Sequence, residues 1–410
     1  KKVKVVDKES FVLHCRPNFK TITVSLPGYS SKSFTNDLPS IGKPRIYRNK
    51  QSEWSLLKGE KIIVSLGKEP IWTLPLKSNR EVINGTPIVL NNETLLCVSR
   101  DDKIYSFSNF QEKQAPTIDY IWTSPQIQFS NFVADPCYYN GVLYIGAQNG
   151  KFFAWDVKER KLIGLFGLPK PEPIDKRPCI VPNQELVVFS TEKIMYALPL
   201  LSSFTNLWKT KWMPFKSPKK LDMEPVAAGD NILVGSADGF LYCFNGVTGK
   251  IRWRYRVGSH FRCRAIVLDD IAYFSGNGYF HAVDVKTGKN INKKRIVGDV
   301  VSSPLFYKDM FYCSTNRKTI MVLDTNFNVK WTRALEALTE VTPMISPNNI
   351  LYVGSKKTQD LNTAILYAMN ADNGAILWKY NIPESMNASP VIVNNMVVQV
   401  ADKVYGFIDN

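Results

Sequence analysis

The segment Asn231–Tyr255, NILVGSADGFLYCFNGVTGKIRWRY, decides the fold. It contains three short runs, 231–236, 240–245 and 250–255, in which apolar side chains alternate with others, and the turns between them carry Gly239 and Gly249. Such alternation marks strands, and short glycine turns join strands that run antiparallel. The segment therefore reads as a meander. Outward from it the same phrase returns at 141–156 (GVLYIG, then FFAWD), 271–284 (IAYFSG, then FHAVD) and 350–370 (ILYVG, then ILYAMN), with a period near 40 residues.

Two further columns set the register. A small or polar residue followed by proline opens the units at Thr86, Asp135, Arg177, Glu224, Ser303, Thr342 and Ser389, and only the unit near Ala265 lacks the proline. Tryptophan closes them at Trp72, Trp122, Trp208, Trp253, Trp331 and Trp378, while the units ending near Leu165 and Asn292 have none. Repeats of this length with four short strands each are the mark of a β-propeller, whose blades bury their faces against one another and are not stable alone. Seven units start near 81, 132, 174, 222, 261, 300 and 339, and the remainder, 388–408, supplies about three strands. The missing fourth strand is expected at 69–76, around Trp72. The expected fold is all-β: an eight-bladed propeller of four-stranded antiparallel blades over 69–410, its ring closed by pairing N-terminal and C-terminal strands. Closure removes the free edges an open ring would leave.

The phrases at 241–253, 280–289 and 366–378 resemble the repeat of PQQ-type propellers. That family includes the quinoprotein alcohol dehydrogenases and the non-catalytic BamB lipoproteins of outer-membrane assembly. The similarity covers roughly 70–410 and is specific for fold. It implies that Gly249, Gly288 and Gly374 turn hairpins and that the tryptophans dock between blades. Lys158–Arg160 replaces the turn in blade two and Thr325–Asn328 in blade six. A quinone enzyme of the family implies adjacent cysteines, a Ca²⁺ site of Glu, Asn and Asp, and often a Cys-x-x-Cys-His haem box. The chain has no adjacent cysteines and no Cys-x-x-Cys, and His14, His260 and His281 are scattered, so no cofactor, metal or catalytic residue is expected. Asp156 and Asp284 occupy equivalent repeat positions and read as turn-capping residues.

Apolar residues make up 44% of the 410 and charged residues 21%, which suits a large core with a polar surface and excludes wholesale disorder. The longest apolar run, Ala364–Met369, is far short of the ~20 residues of a membrane span. The net charge is +16, of which +8 falls in residues 1–70, so 1–68 reads as a basic N-terminal arm or extension. Within it, 19–26 is a strand candidate and 27–33 a polar loop. The cysteines are Cys15, Cys97, Cys137, Cys179, Cys243, Cys263 and Cys313, an odd set without regular pairing distances, read as small buried thiols. Cys137 and Cys179 follow blade-opening prolines in successive blades, where a disulfide or thiolate site and two small core residues are both open readings.

Two features stand out as partner sites. Trp212, Met213 and Phe215, flanked by lysines, form an apolar connector between blades three and four that is either folded back on a blade or offered to a partner. Arg252, Arg254 and Arg256 alternate with Trp253 and Tyr255, so they share one strand face. That face is either an anion-binding ridge or an outer strand protected by charge against edge pairing. Lys293–Arg295 reads as a solvated loop. The function expected is a non-catalytic protein-interaction scaffold whose partner has an acidic surface, with an anionic membrane surface as a further partner and no specific nucleic-acid binding. The resemblance implies a periplasmic or outer-membrane-associated place, with a cytoplasmic adaptor or a quinone-dependent oxidoreductase as the competing readings.

Overall fold

The computed structural model describes the chain from residue 69 onward, except 76–82, 84, 113, 124–126, 129, 206, 358–362 and 410, together with the backbone of seven strands between Lys2 and Ser65. The protein is an eight-bladed propeller. Seven blades are antiparallel sheets whose four strands follow chain order. Blade four is typical: Val226–Ala228 lines the axis, followed outward by Asn231–Ser236, Phe240–Asn245 and Ile251–Arg256. The eighth blade takes Val391–Val393, Met396–Val400 and Lys403–Ile408 from one end of the repeats and Trp72–Pro75 from the other. Gly406 lies opposite Trp72 and Lys403 opposite Pro75, so the expected latch closes the ring. Before residue 69, Lys2–Val5, Ser10–His14 and Ile62–Ser65 form one sheet, and Thr21–Val24 pairs with Lys32–Thr35, inside the strand candidate at 19–26. The loop at 27–31 and Cys15 lie outside the described residues.

The core is a circle of inter-blade cores, because each blade's middle strands are buried on both faces. Fourth strands alternate exposed and half-buried residues, as in Ile251–Arg256. In most blades a β-bulge interrupts the pairing of strands three and four, between Cys243 and Phe244 in blade four and between Val322 and Leu323 in blade six. A bulge bends its strand and re-aims side chains, here turning one residue towards the next blade. That residue is tryptophan in blades four, six and seven, Trp253, Trp331 and Trp378, and Trp212 and Trp72 dock forward in the same way from blades three and eight. The Trp212, Trp253 and Trp331 indoles lie over Gly249, Gly288 and Gly374 of the following blade and donate to the carbonyls of Gly246, Val285 and Ala371 at 3.1, 2.8 and 3.2 Å. Each glycine has φ between 67° and 70°, and a Cβ there would sit 2.4–2.6 Å from the indole. Glycine is required for both reasons.

The interfaces after blades one, two and five reach the same filling by different residues, and two of the expected tryptophans are displaced. In blade one Tyr120, not Trp122, stands opposite the bulge, and Arg160 from the turn of blade two stacks over its ring at 4.0 Å. Trp122 packs on Trp155 instead. In blade two the position belongs to Gly164, and the space is taken by Trp208, reaching back from the blade-three connector to pack on Tyr144 and Phe152. Trp208 thus serves the interface of blades two and three, and the blade-three tryptophan is Trp212. In blade five the position is Asn292, and Phe327, from the glycine-free turn of blade six, fills the gap against Phe280 and Tyr273. Asp156 and Asp284 cap their turns by accepting the amides of Glu159 and Thr287, both at 2.7 Å. Lys293–Arg295 belongs to the fourth strand of blade five, Asn290–Arg295, and not to a loop.

Candidate functional site

The blade-three connector, 200–214, is pinned along its length. Leu201 N–H donates to the Tyr144 hydroxyl at 2.9 Å, Thr205 N–H to Ile163 O at 2.9 Å, Trp208 Nε1 to Pro199 O at 2.8 Å and Lys211 N–H to Ala197 O at 2.8 Å. Trp212 is 9% exposed, and Phe215 packs on Tyr242 and Phe244. These two are therefore committed to the interface with blade four, which corrects the expectation that they are offered outward. What the pinned loop presents is Met213, 90% exposed, with Leu207 at 74% and Phe204 at 62%. Around them Lys209, Lys211 and Lys216 are exposed, and no Asp or Glu occurs between 193 and 221. The sequence showed the wrong apolar residues because a tryptophan's docking site lies on another blade.

The Arg252, Arg254 and Arg256 side chains share the exposed face of the outer strand, as alternation requires. Arg254 lies 4.9 Å over the Phe240 ring, and one blade on, Lys293 lies 4.3 Å over Tyr279 at the equivalent position. The fourth strands of blades four to seven carry no carboxylate.

The blade-opening column forms a ring around the central channel that the sequence reading used only for register. Thr86, Asp135, Arg177, Glu224, Arg264, Ser303, Thr342 and Ser389, one from each blade, face the axis. In seven of the eight a following proline holds the residue extended, with its side chain at the entrance of the innermost strand, and Arg264 takes the same place before Ala265. Four consecutive blades alternate acid and base, and the other four carry hydroxyls. A belt of hydrogen bonds links neighbours: Ser389 N–H to Thr86 Oγ1 at 3.3 Å, Thr86 N–H to Asp135 Oδ1 at 2.7 Å and Arg177 N–H to Glu224 Oε1 at 3.3 Å. Arg264 Nε stands 3.9 Å from Glu224 Oε2. Burial raises the Glu224 pKa, opposed chiefly by Arg264, although the side chain keeps 34% of its surface open to the narrow channel. The buried Nε of Arg177 has no acceptor among the described residues.

Beneath the ring Cys137 and Cys179 are free and buried, and burial pushes their thiols up, Cys179 to about 12. They are core residues. The Ca²⁺-bound quinone of the family's enzymes does not fit this channel. Each ring carboxylate neighbours a guanidinium, and among the described residues no three His, Cys, Asp or Glu side chains cluster as metal ligands. No helix among the described residues is long and apolar enough to cross a membrane.

A closed ring of eight four-stranded blades bound by tryptophan docking defines the protein class. A family model described as outer membrane protein assembly factor BamB matches residues 203–274 and 262–405, about half the chain and the part with the most regular blades. The chain belongs to the PQQ-like β-propeller repeat family. Its fold resembles that of BamB from Moraxella catarrhalis, with TM-score 0.64 at 15% identity over 82% of this chain and 99% of that one. Saccharomyces cerevisiae Sqt1 gives TM-score 0.67 at 10% identity, covering 83% of this chain and 99% of that one. The computationally designed Ika8 protein gives 0.63 at 13% identity, covering 83% and 100%. At these identities the likeness is one of fold. The tetrathionate hydrolase of Acidithiobacillus ferrooxidans is 22% identical over 291 residues, 66% of this chain and 54% of that protein. The chain thus spans about half the length of the curated relative it matches.

Proposed function

We propose that the protein is a non-catalytic interaction scaffold that holds a partner protein on the blade-three connector. One observation carries this reading: Phe204, Leu207 and Met213 are 62–90% exposed on a loop pinned by two buried indoles. A rigid loop loses little entropy on binding, and large apolar side chains at a patch centre supply the desolvated core of an interface. The surrounding lysines suit a partner with an acidic rim, and the Arg252–Arg256 face adds long-range attraction that raises the encounter rate. In this reading 1–68 is a basic arm distinct from the propeller at 69–410, able to meet an acidic protein or an anionic membrane surface. The likeness to BamB supports a periplasmic or outer-membrane-associated place, which fractionation of cells expressing the full-length protein tests. For the interface, a photo-crosslinking amino acid at Met213 should trap one partner identifiable by mass spectrometry. Leu207→Ser with Met213→Ser should abolish co-purification of that partner without lowering the melting temperature. Unchanged co-purification sinks the proposal, and so does a large loss of stability.

A second reading, an enzyme acting on a sulfur oxyanion, is supported by the Acidithiobacillus relative and by Arg177 and Arg264 in the channel. Tetrathionate consumption by the purified protein, lost in Arg177→Gln, would favour it over the scaffold.

A further inference from the structure

The ring of blade-opening residues separates two unlike chambers. On one side the channel opens through about 290 Å³ among charged and polar groups such as Lys176, Arg262 and Glu340. On the other it widens into an open-mouthed space of about 480 Å³ walled by Val226, Ile266, Leu305, Met344 and Val391. Seven of the eight ring residues line both chambers, so a ligand lodged at the ring touches both. The aliphatic chamber has the size and lining of a small-molecule site, for which roughly 300–1,000 Å³ is usual.

The chemistry of the ring selects the end of the ligand that meets it. Its carboxylates already accept hydrogen bonds, Asp135 from Thr86 N–H and Glu224 from Arg177 N–H. Its guanidiniums are less well served: Arg177 Nε is buried without an acceptor among the described residues, and Arg264 stands 3.9 Å from Glu224, beyond hydrogen-bonding distance. A buried donor without an acceptor costs free energy until one arrives. Two forked donors with spare capacity fit a planar carboxylate. Asp135 and Glu224 would repel a multiply charged anion, which restricts the head to a single charge.

We propose that the channel binds a small amphiphile with one carboxylate head, the head held by Arg177 and Arg264 and the apolar body lying in the chamber walled by Ile266, Leu305 and Met344. This site is independent of the blade-three surface. Isothermal titration of the whole protein with decanoate, below its micelle concentration, should show saturable binding at one site. Decanol, which lacks the charge, and acetate, which lacks the body, should each bind at least ~10-fold more weakly, a difference of about 1.4 kcal/mol. Arg177→Gln with Arg264→Gln should bring decanoate down to the level of decanol and leave decanol unchanged. Met344→Asp should abolish both. Should the double variant fail to fold, Arg177→Lys, which keeps the charge and loses the fork, should still weaken decanoate severalfold. Leu207→Ser with Met213→Ser should leave every affinity as it was. The proposal is overturned by absence of saturable decanoate binding, by unchanged affinity in the arginine variants, or by acetate or tetrathionate binding as tightly as decanoate.

Discussion

The interface between blades four and five and the interface between blades five and six are filled from opposite directions. At the first, Trp253 reaches forward over Gly288. At the second, the forward position is Asn292, and Phe327 reaches back from the turn where a glycine would be. Blades two and three repeat the second solution with Gly164 and Trp208. The comparison teaches that the fold demands one aromatic ring per interface rather than one at a given repeat position. Dense packing rewards filled volume, whichever blade supplies it.

The severest way to break the ring leaves these interfaces intact. Removing 403–410 unpairs Trp72–Pro75 and exposes the edge of blade eight, so the melting temperature of the whole propeller should fall by more than in any substitution below. An unchanged melting temperature would refute the latch as the closure that matters. Next comes an exchange of the two solutions. Phe327→Gly empties a core site and should cost about 3–5 kcal/mol, and Asn292→Trp overfills it and should cost about 1–3 kcal/mol. Their combination recreates the forward solution and should be more stable than either single variant, giving a favourable coupling in a double-mutant cycle by denaturant unfolding. Additive losses would show that direction is not interchangeable.

Acid sharpens the comparison, because the interface of blades four and five holds a buried imidazole. His281 Nδ1 meets the Tyr255 hydroxyl of blade four at 3.2 Å, Nε2 meets Gly276 O at 3.1 Å, and the ring stacks on Phe274. Burial lowers its pKa to about 4. The unfolded chain therefore binds a proton below its ordinary pKa of ~6.5 while the native state does not until about pH 4, so stability falls as pH drops through that window. His281→Gln should flatten the melting-temperature profile between those limits, and an equally steep profile would remove His281 as a cause. The smallest effect belongs to blade one: Arg160→Ala removes only the cation over Tyr120 and should cost about 0.5–1 kcal/mol.

Most of the architecture was legible because glycine, proline and tryptophan mark positions where backbone geometry leaves few alternatives. The blade count, the order of strands and the latch at Trp72 all follow from those columns. Legibility failed where a long-range partner decides the matter. Trp208 and Trp212 are four residues apart in an irregular connector, and spacing alone does not tell which reaches back to Gly164 and which forward to Gly249. Lys293–Arg295 lacks apolar alternation, so the outer strand of blade five read as a loop. Of the partner-site residues, Met213 and the three arginines are exposed as expected, while Trp212 and Phe215 are anchors. The channel ring was visible letter by letter but not as a ring, since the alternation of Asp135, Arg177, Glu224 and Arg264 runs around an axis, across some 40 residues at each step.

The latch also sets a clock on biosynthesis. Trp72 and its partner Gly406 are 334 residues apart, and at ~5–20 residues per second a ribosome takes ~17–67 s to make what lies between them. During that interval the seven blades between can stack in order while the strand Trp72–Pro75 and the open face of blade one wait without their partner. The first propeller strand made is the last to be paired, so a waiting chain presents an apolar blade face and a free strand to any neighbour on the same message. Crowding of ribosomes on that message, rather than the stability of the finished ring, then governs how much of the protein closes on itself instead of pairing with another copy.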